Sequence, residues 1–247
     1  MRALRETGPG VVPALIRALE KEPAGWLNVL AFARDHAPWF ARPKLSALYS
    51  SAVGRESRLP RMRAAAAQVL GDFGPAARSA TPALLKAMSD TNATVRLNAA
   101  FALGKIGARP RLVVPALAAL LRDGNEEVRV YAAIALKKFG TQATAAVPRL
   151  ITALQDPGWQ VRERAALALG AVEANRVEVV SALEKALRDE HRFVRSSAAT
   201  ALAELSPRTG SARAALEQAR YDPDAEVRYS AGLAVTRIDS EREPQAP

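Results

Sequence analysis

The sequence predicts an all-α protein, a solenoid of stacked antiparallel helix pairs, and three observations carry that reading. Arginine recurs every 33 residues, at Arg63, Arg96, Arg129, Arg162, Arg195 and Arg228. Each arginine sits in the same apolar pattern, whose steps of three and four residues trace one face of a helix. Strand-forming residues nowhere gather into alternating runs between turn signals, so almost no sheet is expected.

Residues 1–59 depart from the period and read as a divergent N-terminal helical cap. Helical patterns appear at 12–19 and 26–36, and another opens at Pro43. A solenoid needs such a cap because its terminal unit otherwise exposes apolar faces. Trp26, Trp39 and Phe40 are assigned to packing within it, with a local binding pocket as the alternative. Residues 60–238 form the repeat array, and 239–247 a flexible C-terminal tail.

Within a unit, the first helix opens near Pro82, Pro115 or Pro148. Proline suits a first turn, where its missing N–H has no intrahelical partner. Leu84, Leu117, Leu150, Leu183 and Leu216 follow in register as core residues, with Met88, Leu121, Leu154 and Leu187 one turn on.

The turn to the second helix carries Asp90, Asp123, Asp156, Asp189 or Asp222, six residues before the arginine. A carboxylate there can accept backbone N–H bonds at a helix N-terminus. It can also pair with an arginine of its own unit or the adjacent one. The second possibility yields a structural ladder of Asp90, Arg96, Asp123, Arg129, Asp156, Arg162, Asp189, Arg195, Asp222 and Arg228. Such periodicity argues against catalysis, which uses singular carboxylates.

The second helix buries the residues one before and three, seven and ten after the arginine: Val95, Ala99, Leu103 and Ile106 in one unit. The residue four after it is small (Ala67, Ala100, Ala133, Ala166, Ala199, Gly232) and is placed against the neighbouring unit. Gly71, Gly74, Gly104, Gly107, Gly140 and Gly170 cluster near helix ends, where left-handed termination is expected of them.

The segment from Asp90 to Gly107, with its Thr-Val-Arg, Asn-Ala-Ala and Leu-Gly-Lys-Ile-Gly elements, resembles HEAT repeats of the short bacterial type also found in phycobilin lyase subunits. The resemblance implies a right-handed superhelical α-solenoid with first helices on the convex side and second helices on the concave side. It is specific for fold and weakly specific for function, since the family holds scaffolds, accessory subunits and a few enzymes.

The chain is 49% hydrophobic but only 5% aromatic, and its 35 basic and 25 acidic residues leave a formal charge of +10. A diffuse positive field favours acidic partners and weak contact with nucleic acid. Cysteine is absent, which excludes disulfides, thiolate catalysis and cysteine metal sites. The charged N-terminus lacks the apolar core of a signal peptide, and no segment is long and apolar enough to span a membrane; a cytoplasmic protein is expected. His36 and His191 are the only histidines, too few for a metal site built on His-Glu pairs; His191 reads as a solvated turn residue. No phosphate-binding glycine motif or nucleophile–base pair is recognisable, so neither catalysis nor a cofactor is expected.

The candidate site lies on the second helices, opposite the face assigned to the core. Leu97, Phe101, Val130, Ile134 and Leu167 form an apolar strip, with Tyr131 at its edge and Lys105 and Lys138 beside it. Such a strip suits a protein or peptide of acidic and apolar character; burial against adjacent second helices is the competing reading. The leading function is a protein-interaction scaffold or adaptor. The alternatives are a nucleic-acid-binding repeat module and an accessory subunit of a cofactor-modifying or lyase-type enzyme.

Overall fold

Leucine and alanine at helical spacing, interrupted by an aspartate turn in every unit, produce a ladder of helix pairs. The computed structural model describes residues 11–20, 26–37, 42–46, 59–172, 177–205 and 210–240. Trp39, Phe40, the side chain of Trp26 and the tail from 241 lie outside them. The elements are α1 (Val11–Glu20), α2 (Trp26–His36), α3 (Leu59–Asp72), α4 (Thr81–Ala87), α5 (Ala93–Ile106), α6 (Pro110–Leu120), α7 (Glu126–Phe139), α8 (Val147–Ala153), α9 (Trp159–Ala171), α10 (Val177–Ala186), α11 (Arg192–Leu205), α12 (Gly210–Ala219) and α13 (Ala225–Ser240). No strand occurs among the described residues, and none of their helices is long and apolar enough to cross a membrane.

The second helices α3, α5, α7, α9, α11 and α13 stack in sequence, each packed closely on the next, whereas the first helices α6, α8, α10 and α12 touch one another sparsely. The second helices therefore form the closely packed layer of the stack and the first helices the looser one. Between the two layers runs one apolar core. Leu84, Leu117, Leu150, Leu183 and Leu216 enter it from one layer and Leu70, Leu103, Leu136, Leu169 and Leu202 from the other, all fully buried. The first unit is built differently: α1 packs against α2, α3 and α4.

The ladder resolves to the adjacent unit. The Nε and Nη2 atoms of Arg63, Arg96, Arg129, Arg162 and Arg195 donate to the carboxylates of Asp90, Asp123, Asp156, Asp189 and Asp222, 27 residues ahead, at 2.7–3.2 Å. Nη1 of Arg96, Arg129, Arg162 and Arg195 turns back to the carbonyl of its own unit's aspartate at 2.8–2.9 Å. Each carboxylate also accepts the backbone N–H two residues on, as Asp123 does from Asn125 at 2.9 Å. One guanidinium thus ties two units together while the aspartate shapes the turn. Arg228 departs from the pattern: its Nη1 bonds the carbonyls of Asp222 and Pro223, and no aspartate meets the rest of its guanidinium among the described residues.

Two sequence expectations need correction. Gly74, Gly107 and Gly140 do have positive φ, but Gly71, Gly104 and Gly170 are buried and serve close approach of helices. A Cβ on Gly104 would lie 2.8 Å from the Ala135 Cα, and one on Gly71 would lie 2.9 Å from the Ala102 Cα. Pro82 and Pro148 sit in the first turns of α4 and α8, whereas Pro115 lies inside α6. The cause is the entry to each helix. 3-10 stretches, Gly74–Ala80 (kinked at Ala77) and Gly140–Ala146, precede α4 and α8. Arg109 instead takes a left-handed conformation (φ 51°) and α6 starts at once from Pro110.

Candidate functional site

The candidate surface is made by those parts of α5, α7, α9, α11 and α13 that neither the core nor the ladder consumes. At its N-terminal end Phe101 of α5 meets Tyr131 of α7 edge to face, with ring centroids 5.5 Å apart. Lys105, one turn beyond Phe101, places its ammonium 5.5 Å from the Phe101 centroid and 2.8 Å from the Asp72 carboxylate. Lys44 also reaches Asp72, at 2.5 Å. Burial pushes the Asp72 carboxyl up, but the hydrogen bonds and charges of the two lysines outweigh it and hold the group below the ordinary aspartate value. Lys105 is therefore anchored, while Lys138 is exposed.

Val130, Tyr131, Ile134 and Leu167 are half-buried, as is Phe101; the strip is a partly covered seam along the stack. Leu97 does not belong to its accessible part, being only 8% exposed. Its place, one after the arginine, faces the next second helix: in α11 the same place puts the Ser196 hydroxyl 3.0 Å from that of Ser230 on α13. Packing between units claims Leu97 before any partner can. Asn98, beside it, donates its side-chain N–H to the Ala64 carbonyl at 2.9 Å and pins α5 to α3.

Where α9 and α11 open, the chain forms an aromatic cluster that sequence reasoning missed. Trp159 stacks on His191 at 3.9 Å and 12°, and Phe193 lies 5.5 Å from Trp159 and 5.4 Å from His191. Arg192 covers Phe193 with its guanidinium 4.7 Å from the ring and pairs with Asp224 at 3.3 Å. His191 is thus half-buried under an indole, with its Nδ1 buried and without a hydrogen-bond partner, where a solvated turn residue was expected. The available signal was positional. His191 stands in the register of the helix-capping Asn92 and Asn125, and Trp159 in that of Ala93 and Glu126. One turn from Trp159, burial pushes the Glu163 carboxyl above its ordinary value, against the opposing charges of Arg164, His191 and Lys137.

The arrangement offers aromatic and aliphatic contact with the exposed ammonium of Lys138 on the same helix as Ile134. The described residues contain no group of three or more histidine, aspartate or glutamate side chains placed to hold a metal ion.

A family model described as HEAT repeats matches residues 52–118, 113–203 and 147–236. No curated protein shows significant sequence similarity to the chain. Among solved structures, the fold is similar to that of an engineered protein at 22% identity, covering 93% of this chain and 96% of that one with a TM-score of 0.59. A designed armadillo repeat protein in complex with the peptide (KR)4 aligns at 17% identity over 92% of this chain and 99% of that one, with a TM-score of 0.61. The complex of CpcE and CpcF of phycocyanin lyase from Nostoc sp. PCC7120 aligns at 26% identity over 76% of this chain and 74% of that one, with a TM-score of 0.53.

Proposed function

The chain belongs to the HEAT-repeat family, and we propose that it is a non-catalytic protein-interaction scaffold that binds a partner segment along its concave face. The observation that carries this reading is the seam of Phe101, Val130, Tyr131, Ile134 and Leu167, half-buried beside the exposed Lys138. Half-covered aromatic and aliphatic groups gain most from a partner that completes their burial. An exposed ammonium next to them favours aspartate or glutamate in that partner.

Fluorescence anisotropy with synthetic peptides that mix aliphatic or aromatic residues with acidic ones tests the reading. Saturable binding, weakened about tenfold or more by Phe101→Ala and by Lys138→Glu with unchanged circular dichroism, is expected. Failure of every acidic amphipathic peptide to bind rules it out.

A second reading, an accessory subunit of a lyase-type enzyme, draws on the 26% identity to the CpcE and CpcF complex. A tetrapyrrole that binds the purified chain and perturbs Trp159 fluorescence would favour it over the scaffold.

A further inference from the structure

Three stretches of the first-helix layer, 73–89, 107–122 and 140–155, contain no aspartate or glutamate. They hold Arg78, Lys86, Arg109, Arg111, Arg122 and Arg149, all six exposed. Leu84, Leu117 and Leu150 of the same helices point into the core, so the cations lie on the outer side of the layer or in the grooves between its helices. None of the six is paired with a carboxylate among the described residues; Arg78 donates to the Pro75 carbonyl at 3.4 Å. On the second helices, by contrast, Lys105, Arg164 and Arg192 lie against Asp72, Glu163 and Asp224. The basic patch is also bounded along the stack, since α10 carries Glu178 and Glu184 and α1 closes with Glu20. The positive charge that is diffuse in sequence therefore gathers on α4, α6 and α8.

Two local features add to the charge. Arg122 and Arg149 line one groove of about 360 Å³ between α6 and α8, beside Thr152 and Gln155. The carboxylates at that groove, Asp123 and Asp156, are already held by Arg96 and Arg129. Two guanidinium groups with a hydroxyl and an amide around one opening make a donor set suited to phosphate oxygens. Arg109 is the one non-glycine residue with positive φ among the described residues, at 51°. A side chain costs energy in that conformation where glycine would not. The Arg109 side chain is exposed, so the core does not demand it.

We infer that this face binds the phosphate backbone of a nucleic-acid duplex without reading its sequence. Charge spread over three consecutive helices suits a polymer of phosphates better than one small anion. No aromatic side chain is exposed in the three stretches, whereas single strands are held largely by stacking on such rings. Leu112 is the one large hydrophobic side chain exposed there. That is too little apolar surface for a helix face seated in a membrane or for the anchors of a protein interface. The face is separate from the seam of the second helices, so the inference does not rest on peptide binding there.

Fluorescence anisotropy of the full chain with labelled DNA and RNA duplexes of about 20 base pairs, at low salt, tests the inference. Saturable binding to at least one is expected, with log K falling against log salt at a slope of about −3 to −5. Arg122→Glu together with Arg149→Glu weakens it about tenfold or more, whatever the duplex sequence. Arg61→Glu together with Lys137→Glu makes the same change of charge on the second helices and weakens it less than about twofold. Arg109→Gly removes a cation and the strained φ together; it weakens binding about threefold and leaves Tm unchanged or higher. Circular dichroism checks the fold of each variant. Absence of binding to both duplexes, or equal losses in the two double variants, overturns the inference. Tighter binding to single strands than to duplexes does so too. So does binding to vesicles of phosphatidylserine and phosphatidylcholine that depends on Arg122 and Arg149 while neither duplex binds, which would give the face to a membrane.

Discussion

Arg96 holds the Asp123 carboxylate of the following unit through Nε at 2.8 Å and Nη2 at 2.7 Å, while its Nη1 holds the Asp90 carbonyl of its own unit at 2.8 Å. Both side chains are largely shielded, at 18% and 10% exposure. A pair so enclosed differs from a surface ion pair, because removing either member strands the other in a poorly solvated place. Asp123→Ala removes the acceptor for Arg96 and also for the Asn125 N–H. It is expected to destabilise the array by about 2–3 kcal/mol, more than Arg96→Ala. Urea unfolding followed by circular dichroism measures the difference.

The glycines at close approach give an opposite sign to helix propensity. Gly104→Ala would favour an isolated helix by about 1 kcal/mol. In this stack the new methyl meets Ala135, so α5 and α7 must part, and a net loss of about 1–3 kcal/mol is expected. Gly107→Ala meets no atom within 4 Å and loses only the left-handed conformation (φ 64°), about 1 kcal/mol. Thermal unfolding of the two variants side by side is the check.

Leu103 and Phe101 lie two residues apart on one helix and divide core from seam. Leu103→Ala empties a fully buried position and is expected to lose about 2–5 kcal/mol. Phe101→Ala loses a half-buried ring and its edge contact with Tyr131, of which the aromatic pair contributes about 0.5–1.5 kcal/mol. Its main consequence is expected in peptide affinity. If Phe101→Ala destabilises as much as Leu103→Ala, the seam is core.

Acid weakens the ladder. Burial pushes the carboxyls of Asp90, Asp123 and Asp222 up. The arginine hydrogen bonds and charges, with one backbone N–H each, outweigh that and hold them below the ordinary aspartate value. Their contribution is complete above the unfolded-state value and is lost as pH falls from there through the lowered folded-state value. Glu163 acts in the other direction: its raised value makes the ionised form unfavourable in the folded chain, so its penalty grows as pH rises from the unfolded-state value through the folded one. Glu163→Gln is therefore expected to raise Tm at neutral pH and leave it unchanged under acid, where Asp123→Asn loses most of its own effect. Melting curves across that range test both signs.

What the chain's order of residues determined by itself was everything periodic. The recurrence of arginine, aspartate, leucine and alanine identified the helix pairs, the core columns and the small residues between units, because a repeat can bury its apolar face only by stacking on a copy of itself. The partner within the ladder was not legible. An aspartate six residues before one arginine and 27 after another suits either, and the choice depends on the spacing between units. The same holds for Gly104, whose role comes from the approach of α7, and for Leu97, which is buried although it lies opposite the core face of its helix. Trp159, His191 and Phe193 stand outside the period and meet only because stacking superposes two turns. Tertiary structure alone decided which parts of each second helix remain accessible, since exposure is set by what the adjacent unit covers.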